Sequence, residues 1–135
     1  DEMQAGLLRV KLPHMQELEQ ERIAIATRYL AEIDNPHLIL PRVREGATHV
    51  WHQFVVRCDK RDEFMAYLKD NGIGTIIHYP IPPHLSEAYE SLGYKEGSFP
   101  ITEDYAHSVL SIPMYNGMTS DEQSYVIEKI NAFCK

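Results

Sequence analysis

Apolar residues recur at helical spacing along the first third of the chain. Met3, Leu7 and Val10 are three or four residues apart, which predicts one helix. Pro13 suits the first turn of a second helix, because the amide that proline lacks has no partner there anyway. The second helix has an apolar face of Met15, Leu18, Ile23, Ala26, Tyr29, Leu30 and Ile33. Two helices are therefore predicted to meet near Leu12.

The middle of the chain alternates between predicted strands and helices. The segments predicted as strands are HVWHQFVVR, IGTIIHY and SVLSIP, which are rich in β-branched and aromatic residues. In the first, Val50, Phe54 and Val56 are expected on one face. A helix between the first two strands is predicted to have Asp59 as its N-cap and Gly72 just past its end.

The carboxy-terminal helix has the clearest start signal. Thr119 and Glu122 match a capping box and precede an apolar face of Val126, Ile127, Ile130 and Phe133. Shorter helices are predicted around LSEAYESLG and TEDYAH. Strands interleaved with helices predict an α/β (α+β) layer with one core, which a chain of 135 residues can bury.

Charge and composition narrow the possible partners. A formal net charge of −7 without clustered Lys and Arg disfavours nucleic acid and anionic membranes as partners. No run approaches the ~20 apolar residues of a membrane span, and the amino end lacks a signal-peptide pattern, so we expect a cytoplasmic protein. Cys58 and Cys134 form no CxxC pair and are expected to be reduced thiols.

Metal and nucleophile chemistry are poorly supported. The histidine pairs His49 with His52 and His78 with His84 lack the spacing of a zinc motif. On a strand His49 and His52 would also point to opposite faces. The serines and cysteines lack a nucleophile-elbow context, and NGIGT follows a helix rather than a strand, which favours a turn over a phosphate loop. No metal site is predicted.

The stretch GIGTIIHYPIPPH is the most suggestive of a ligand site. A predicted strand ends in His78 and Tyr79, and Pro80, Pro82 and Pro83 then restrict the backbone. Rings held at the end of a rigid element lose little further entropy when they bind a ligand. The residues alone leave two readings open, a ligand contact or the cap of a structural loop.

These motifs resemble a known family. GIGTIIHYPIPPH, together with DEMQAGLLRVKL, HVWHQFVVR, EAYESLGY and LSIPMYNGMTSDEQSYVIEKI, is similar to the carboxy-terminal part of the DegT/DnrJ/EryC1/StrS nucleotide-sugar aminotransferases. The resemblance implies the small domain of the aspartate-aminotransferase fold, with a mainly antiparallel sheet of the three predicted strands. It further implies a division into residues 1–34, leading in from a large domain, and residues 35–135, the small domain.

The resemblance also implies an activity. The family transfers an amino group from an amino acid, with glutamate expected here, to a nucleotide-linked keto sugar, using pyridoxal phosphate (PLP) in a homodimer. The nearest resemblance is to enzymes that aminate the 3-keto group of a dTDP-linked 6-deoxyhexose. His78 and Tyr79 match substrate-contacting residues, and Thr75 and His52 match with less defined roles.

The same resemblance implies that the cofactor-binding lysine precedes this segment. The chain also starts without Met inside a helical pattern, so we expect a fragment that does not bind PLP alone. Its lysines are expected to be solvated; they are Lys11, Lys60, Lys69, Lys95, Lys129 and Lys135. The alternatives are a free-standing binding or interaction domain without catalysis and, less favoured, a histidine-based hydrolase.

Overall fold

The computed structural model describes residues 1–134, so Lys135 and its expected solvation lie outside the described residues. The helices are α1 Glu2–Lys11, α2 Met15–Glu32, α3 Arg61–Asp70, α4 Pro100–Ser108 and α5 Ser120–Ala132. The strands are β1 Leu38–Ile39, β2 Phe54–Cys58 and β3 Val109–Ile112. Short 3-10 turns occupy Leu12–His14, Pro83–Leu85 and Glu87–Leu92. No helix within residues 1–134 is long and apolar enough to cross a bilayer.

The three strands form one antiparallel sheet in the order β1-β2-β3. Leu38 pairs with Cys58, and Phe54 pairs with Ile112. The predicted α/β class and antiparallel sheet are confirmed, but the membership of the sheet differs from the prediction. The third strand is Leu38–Ile39, whereas IGTIIHY contributes a single bridge between Ile76 and Ser111.

The strand predicted from residue 49 begins only at Phe54, so the placement of Val50 on its inner face is wrong. Trp51 has a positive φ of 51°, which turns the backbone out of the extended conformation. Its ring is buried and stacks on Phe54 at 5.4 Å. Arg22 Nη1 donates to the carbonyl oxygens of Trp51 and His52 at 3.0 and 3.1 Å. Those carbonyls therefore have a side-chain partner instead of a neighbouring strand.

The residues that follow IGTIIHY limit how far this segment can pair with β3. Ile76 and Ser111 exchange two backbone hydrogen bonds of 2.8 and 3.2 Å. Pro80 has no amide hydrogen, so it cannot donate to a ladder on β3. Pairing consequently stops after one bridge and leaves residues 77–79 at the end of the sheet.

The core lies between the sheet and the helices α2, α3 and α5. Its fully buried side chains include Tyr29, Phe54, Val56, Phe64, Leu68, Leu110 and Ile130. The predicted capping box of α5 is present, with Thr119 Oγ1 accepting from the amide of Glu122 at 3.2 Å. The prediction of Asp59 as the N-cap of α3 is wrong. A helix capped by Asp59 would begin at Lys60, whereas α3 begins at Arg61. Lys60 occupies the cap position, and the Asp59 carboxylate accepts from its amide at 3.0 Å.

Helix α4 packs on the opposite face of the sheet. Arg57 follows the inward-facing Val56, so its side chain leaves the other face and pairs with Asp104 of α4 at 3.1 Å. Arg61 reaches from the start of α3 to the carbonyl oxygen of Ala106 at 3.3 Å. Because α4 covers the outer face at this end, all four residues of β3 are buried.

Candidate functional site

A cleft opens where the single bridge meets β3. We call it the His78 cleft; its volume is about 170 Å³, and its polar lining is His52, Gln53, Thr75, His78 and Ser111. The remaining lining is Gly74, Pro113 and the side chains of Ile76, Ile112 and Met114. Three of the four residues predicted to contact substrate, His52, Thr75 and His78, therefore lie in one cleft. They come from two segments more than 20 residues apart in the sequence.

The fourth predicted residue, Tyr79, borders the other side of His78. A second cleft of about 160 Å³, here called the proline cleft, is lined by His78, Tyr79, Pro82, Pro83 and the α4 residues Thr102 and Tyr105, with three apolar neighbours. The Tyr79 side chain is 74% exposed and its ring meets that of His78 edge to face at 5.5 Å. His78 is thus shared by both clefts, while Tyr79 projects into solvent at the rim.

His78 is held by a hydrogen bond that the sequence did not indicate. Its Nδ1 lies 2.8 Å from Oγ of Ser111, which is only 7% exposed. Leu110 and Ile112 point into the core, so Ser111 between them points to the opposite sheet face, where His78 lies. Ser111 is one of the serines whose sequence context does not match a nucleophile elbow. Alternation along SVLSIP indicates which sheet face the Ser111 side chain occupies. It does not indicate that His78, 33 residues away in the sequence, is its partner.

Arg22 is a second residue that sequence reasoning missed. It lies on α2, outside the predicted apolar face, and it donates to the backbone of residues 51 and 52 and to Oδ1 of Asn116 at 3.1 Å. These contacts hold the segment that carries His52, whose own side chain is exposed. Arg22 is 29 or more residues from these partners in the sequence, so no local pattern indicates the contacts.

Buried Tyr29 supports the far wall of the His78 cleft. Its hydroxyl donates to the carbonyl oxygen of Pro113 at 2.9 Å. Burial raises the pKa of Tyr29, so the phenol stays a neutral donor. The end of β3 is therefore anchored to α2 at the point where Pro113 borders the cleft.

The charge around His78 differs from that of the other surface clefts. Within the described residues neither the His78 cleft nor the proline cleft is lined by Asp or Glu. A cleft at Arg57 includes Asp59 and Asp104, and another at Tyr115 includes Asp121 and Glu122. In a chain of net charge −7, the absence of carboxylates from the lining of two adjoining clefts lowers the repulsion that an anion would meet there.

Neither cleft at His78 is lined by a lysine among the described residues, and covalent attachment of PLP requires a lysine amine. Residues 1–134 also contain no group of three or more His, Cys, Asp or Glu arranged to bind a metal ion. His49 contacts its own loop instead, where its Nδ1 accepts from the Trp51 amide at 2.9 Å. The strand geometry invoked for His49 and His52 does not apply, since neither lies in a strand.

Two curated sequences illustrate the similarity to known proteins. The chain is 43% identical over 98% of its length to the pleiotropic regulatory protein of Geobacillus stearothermophilus, of which it covers 37%. It is 42% identical over 98% of its length to the dTDP-3-amino-3,6-dideoxy-alpha-D-galactopyranose transaminase of Aneurinibacillus thermoaerophilus, of which it covers 36%. The chain thus spans about a third of the length of the curated relatives it matches.

The fold has a matching solved structure. DesV of S. venezuelae superposes with a TM-score of 0.92 and 39% identity over 97% of this chain and 36% of DesV. The sequence model of the DegT/DnrJ/EryC1/StrS aminotransferase family matches residues 1–131. That family consists of PLP-dependent sugar aminotransferases. The resemblance expected from the motifs is confirmed, and the chain belongs to the DegT/DnrJ/EryC1/StrS aminotransferase family.

Proposed function

We propose that this chain supplies a substrate-binding wall to a PLP-dependent aminotransferase that transfers an amino group from glutamate to a nucleotide-linked keto sugar. The observation that carries the proposal is the carboxylate-free pair of clefts that share His78. Imidazole and hydroxyl groups from His52, Thr75 and His78 converge there. Such groups hydrogen-bond phosphate and sugar oxygens, and the lack of nearby carboxylates suits an anionic ligand.

The size of the clefts supports a shared site. Each holds about 160–170 Å³, less than the ~300–1,000 Å³ of a complete ligand pocket. This chain therefore contacts one part of a sugar nucleotide, and other parts of the enzyme must supply the opposite wall. The covalent cofactor site belongs to that other part as well, because the described residues lack a lysine at the cleft. His78, His52 and Thr75 bind and orient substrate, and Tyr79 at the rim shields it from water.

Two finer proposals rest on the relatives. The first is a dTDP-linked 6-deoxyhexose with a 3-keto group as acceptor, since the relative from Aneurinibacillus thermoaerophilus is named for a dTDP-3-amino-3,6-dideoxy sugar. The second is a cytoplasmic homodimer in which residues 1–34 join a large domain to the small domain of residues 35–135. Helix α1 supports the second proposal: Met3, Leu7, Leu8 and Val10 are 65–78% exposed, an apolar face that a large domain would cover.

The test uses the intact polypeptide that contains this chain, loaded with PLP. Its reaction with glutamate carrying isotopic nitrogen and a dTDP-linked 3-keto-6-deoxyhexose should move the label into the sugar nucleotide, as followed by mass spectrometry. His78→Ala and Thr75→Val should weaken sugar-nucleotide binding, whereas His107→Ala, at an exposed histidine outside both clefts, should not. Tight binding without transfer of label would favour a binding module. Equal binding by all variants would contradict the site.

A further inference from the structure

We propose that Ser111 is a positioning residue for His78. Its hydroxyl donates to Nδ1 of His78, which places the proton of the neutral imidazole on Nε2. His78 then presents an N–H donor to the clefts. That this donor meets a sugar nucleotide rests on the proposed function, but the tautomer itself does not.

The geometry around Ser111 leaves it little freedom. Its Oγ is 2.8 Å from Nδ1 of His78, and the residue is 7% exposed. Its backbone pairs with Val55 of β2 on one side and with Ile76 on the other. Ser111 therefore lies on β3, between β2 and the segment that contains Ile76. His78 follows Ile76 by two residues, which brings its ring to the Ser111 hydroxyl. A hydroxyl placed so firmly can hold a ring in one orientation.

The direction of the hydrogen bond follows from counting donors. A serine hydroxyl has one proton, and His78 is the one hydrogen-bonding partner of Ser111 Oγ among the described residues. If Nδ1 carried the proton, the ring would donate to Oγ, and the buried serine proton would have no acceptor. Leaving a buried donor unpaired is costly, so donation from serine to Nδ1 is favoured.

The second ring nitrogen is then the functional one. Nε2 of His78 makes no hydrogen bond within residues 1–134, and the ring borders both clefts. In the proposed tautomer Nε2 carries a proton, which suits an acceptor such as a phosphate oxygen and disfavours a cation. The carboxylate-free lining leaves this donor available to a ligand, because no Asp or Glu competes for it.

The tautomer can be read directly by nitrogen NMR of the full chain with isotopically labelled histidine. Spectra are recorded at alkaline pH, and His78→Gln identifies the signals of His78. The proposal expects two widely separated ring-nitrogen signals with the proton on Nε2. Ser111→Ala should bring the signals closer together as the tautomers exchange, and Ser111→Thr, which keeps the hydroxyl, should restore the separation.

Ser91→Ala is the matched control, since Ser91 is an exposed serine outside both clefts. A proton on Nδ1 in the wild type would overturn the proposal, as would an unchanged separation in Ser111→Ala. If Ser111→Ala does not fold, the wild-type tautomer and Ser111→Thr decide the question.

A titration with dTDP separates this proposal from the proposed function. If both hold, dTDP shifts the Nε2 signal of the wild type, and Ser111→Ala lowers the affinity about 3–10-fold, as expected for one weakened polar contact. If the tautomer is as proposed but dTDP shifts no His78 signal, the positioning role stands and the ligand assignment fails. If dTDP binds while the proton lies on Nδ1, the ligand assignment stands and the positioning role fails.

Discussion

Two histidines six residues apart, His78 and His84, occupy contrasting surroundings. His78 meets a neutral hydroxyl and borders two clefts that lack carboxylates. His84 meets a carboxylate, with its Nε2 2.9 Å from Oε1 of Glu103, and only 8% of its side chain is exposed. Aromatic rings close around His84, with Phe99 at 4.8 Å and Tyr94 at 6.5 Å.

The other hydrogen bonds of Glu103 show that the surroundings of His84 are structural. Glu103 also accepts from the amides of Gly97 and Phe99 at 2.7 and 3.0 Å. One carboxylate thus ties His84 and the loop before α4 to the helix. The comparison teaches that two histidines next to prolines can differ in their hydrogen-bond partner and in their access to a cleft. The residue type alone does not decide either of these.

The largest expected effect is on the ligand side of the comparison. In the intact enzyme His78→Ala should lower sugar-nucleotide affinity or kcat/KM by ~10 to 100-fold, the ~1.4 to 2.7 kcal/mol of a lost polar contact. Calorimetric titration and steady-state kinetics measure it, with His107→Ala as the control. Kinetics equal to those of the wild type would move His78 to the structural class of His84.

The structural side should respond in the opposite way. His84→Ala removes a buried hydrogen bond and ring packing, so the free energy of unfolding should fall by about 1–2 kcal/mol. Urea denaturation followed by Trp51 fluorescence measures the loss. The folded variant should bind sugar nucleotide normally; a selective loss of affinity would show that His84 belongs to the site.

Two glycines before His78 sharpen the contrast between fold and ligand. Gly72 has a positive φ of 74°, as expected past a helix end, so Gly72→Ala should cost on the order of 1 kcal/mol. Gly74 lines the His78 cleft, and a Cβ built there meets no atom within 4 Å. Gly74→Ala should therefore spare stability and alter ligand binding. Paired thermal melts and titrations test this, and a destabilised Gly74→Ala that binds normally would assign that glycine to packing.

The smallest effect is a pH dependence confined to the His84 side. Hydrogen bonds from the amides of Phe99 and Gly97, followed by the hydrogen bond with His84, lower the pKa of Glu103 below its ordinary value of 4.5. A carboxyl with a depressed folded pKa stabilises the protein above its unfolded pKa, and that contribution disappears as the pH falls through the folded pKa. Stability should decline below about pH 4.5, and Glu103→Gln should flatten this part of the profile. An equally steep acid limb in Glu103→Gln would attribute it to other carboxyls.

Local sequence signals predicted a substantial part of this fold. The α5 capping box, the left-handed Gly72 and strand β3 depend on neighbours within a few residues, and all are present. The short β1 was missed, because Leu38 and Ile39 are too few to show a period. The strand predicted from residue 49 failed because Arg22, distant in sequence, binds the carbonyls that a partner strand would otherwise need.

The candidate site shows the same division. The sequence by itself determined the apolar face of α5 and the family, and it proposed His52, Thr75, His78 and Tyr79 as site residues, because each depends on order along the chain. Only the tertiary structure decided that three of them share one cleft, that Ser111 holds His78, and that Glu103 rather than a ligand meets His84. Those contacts join residues 19 to 33 positions apart, and the sheet and α4 bring them together through packing that no local pattern encodes.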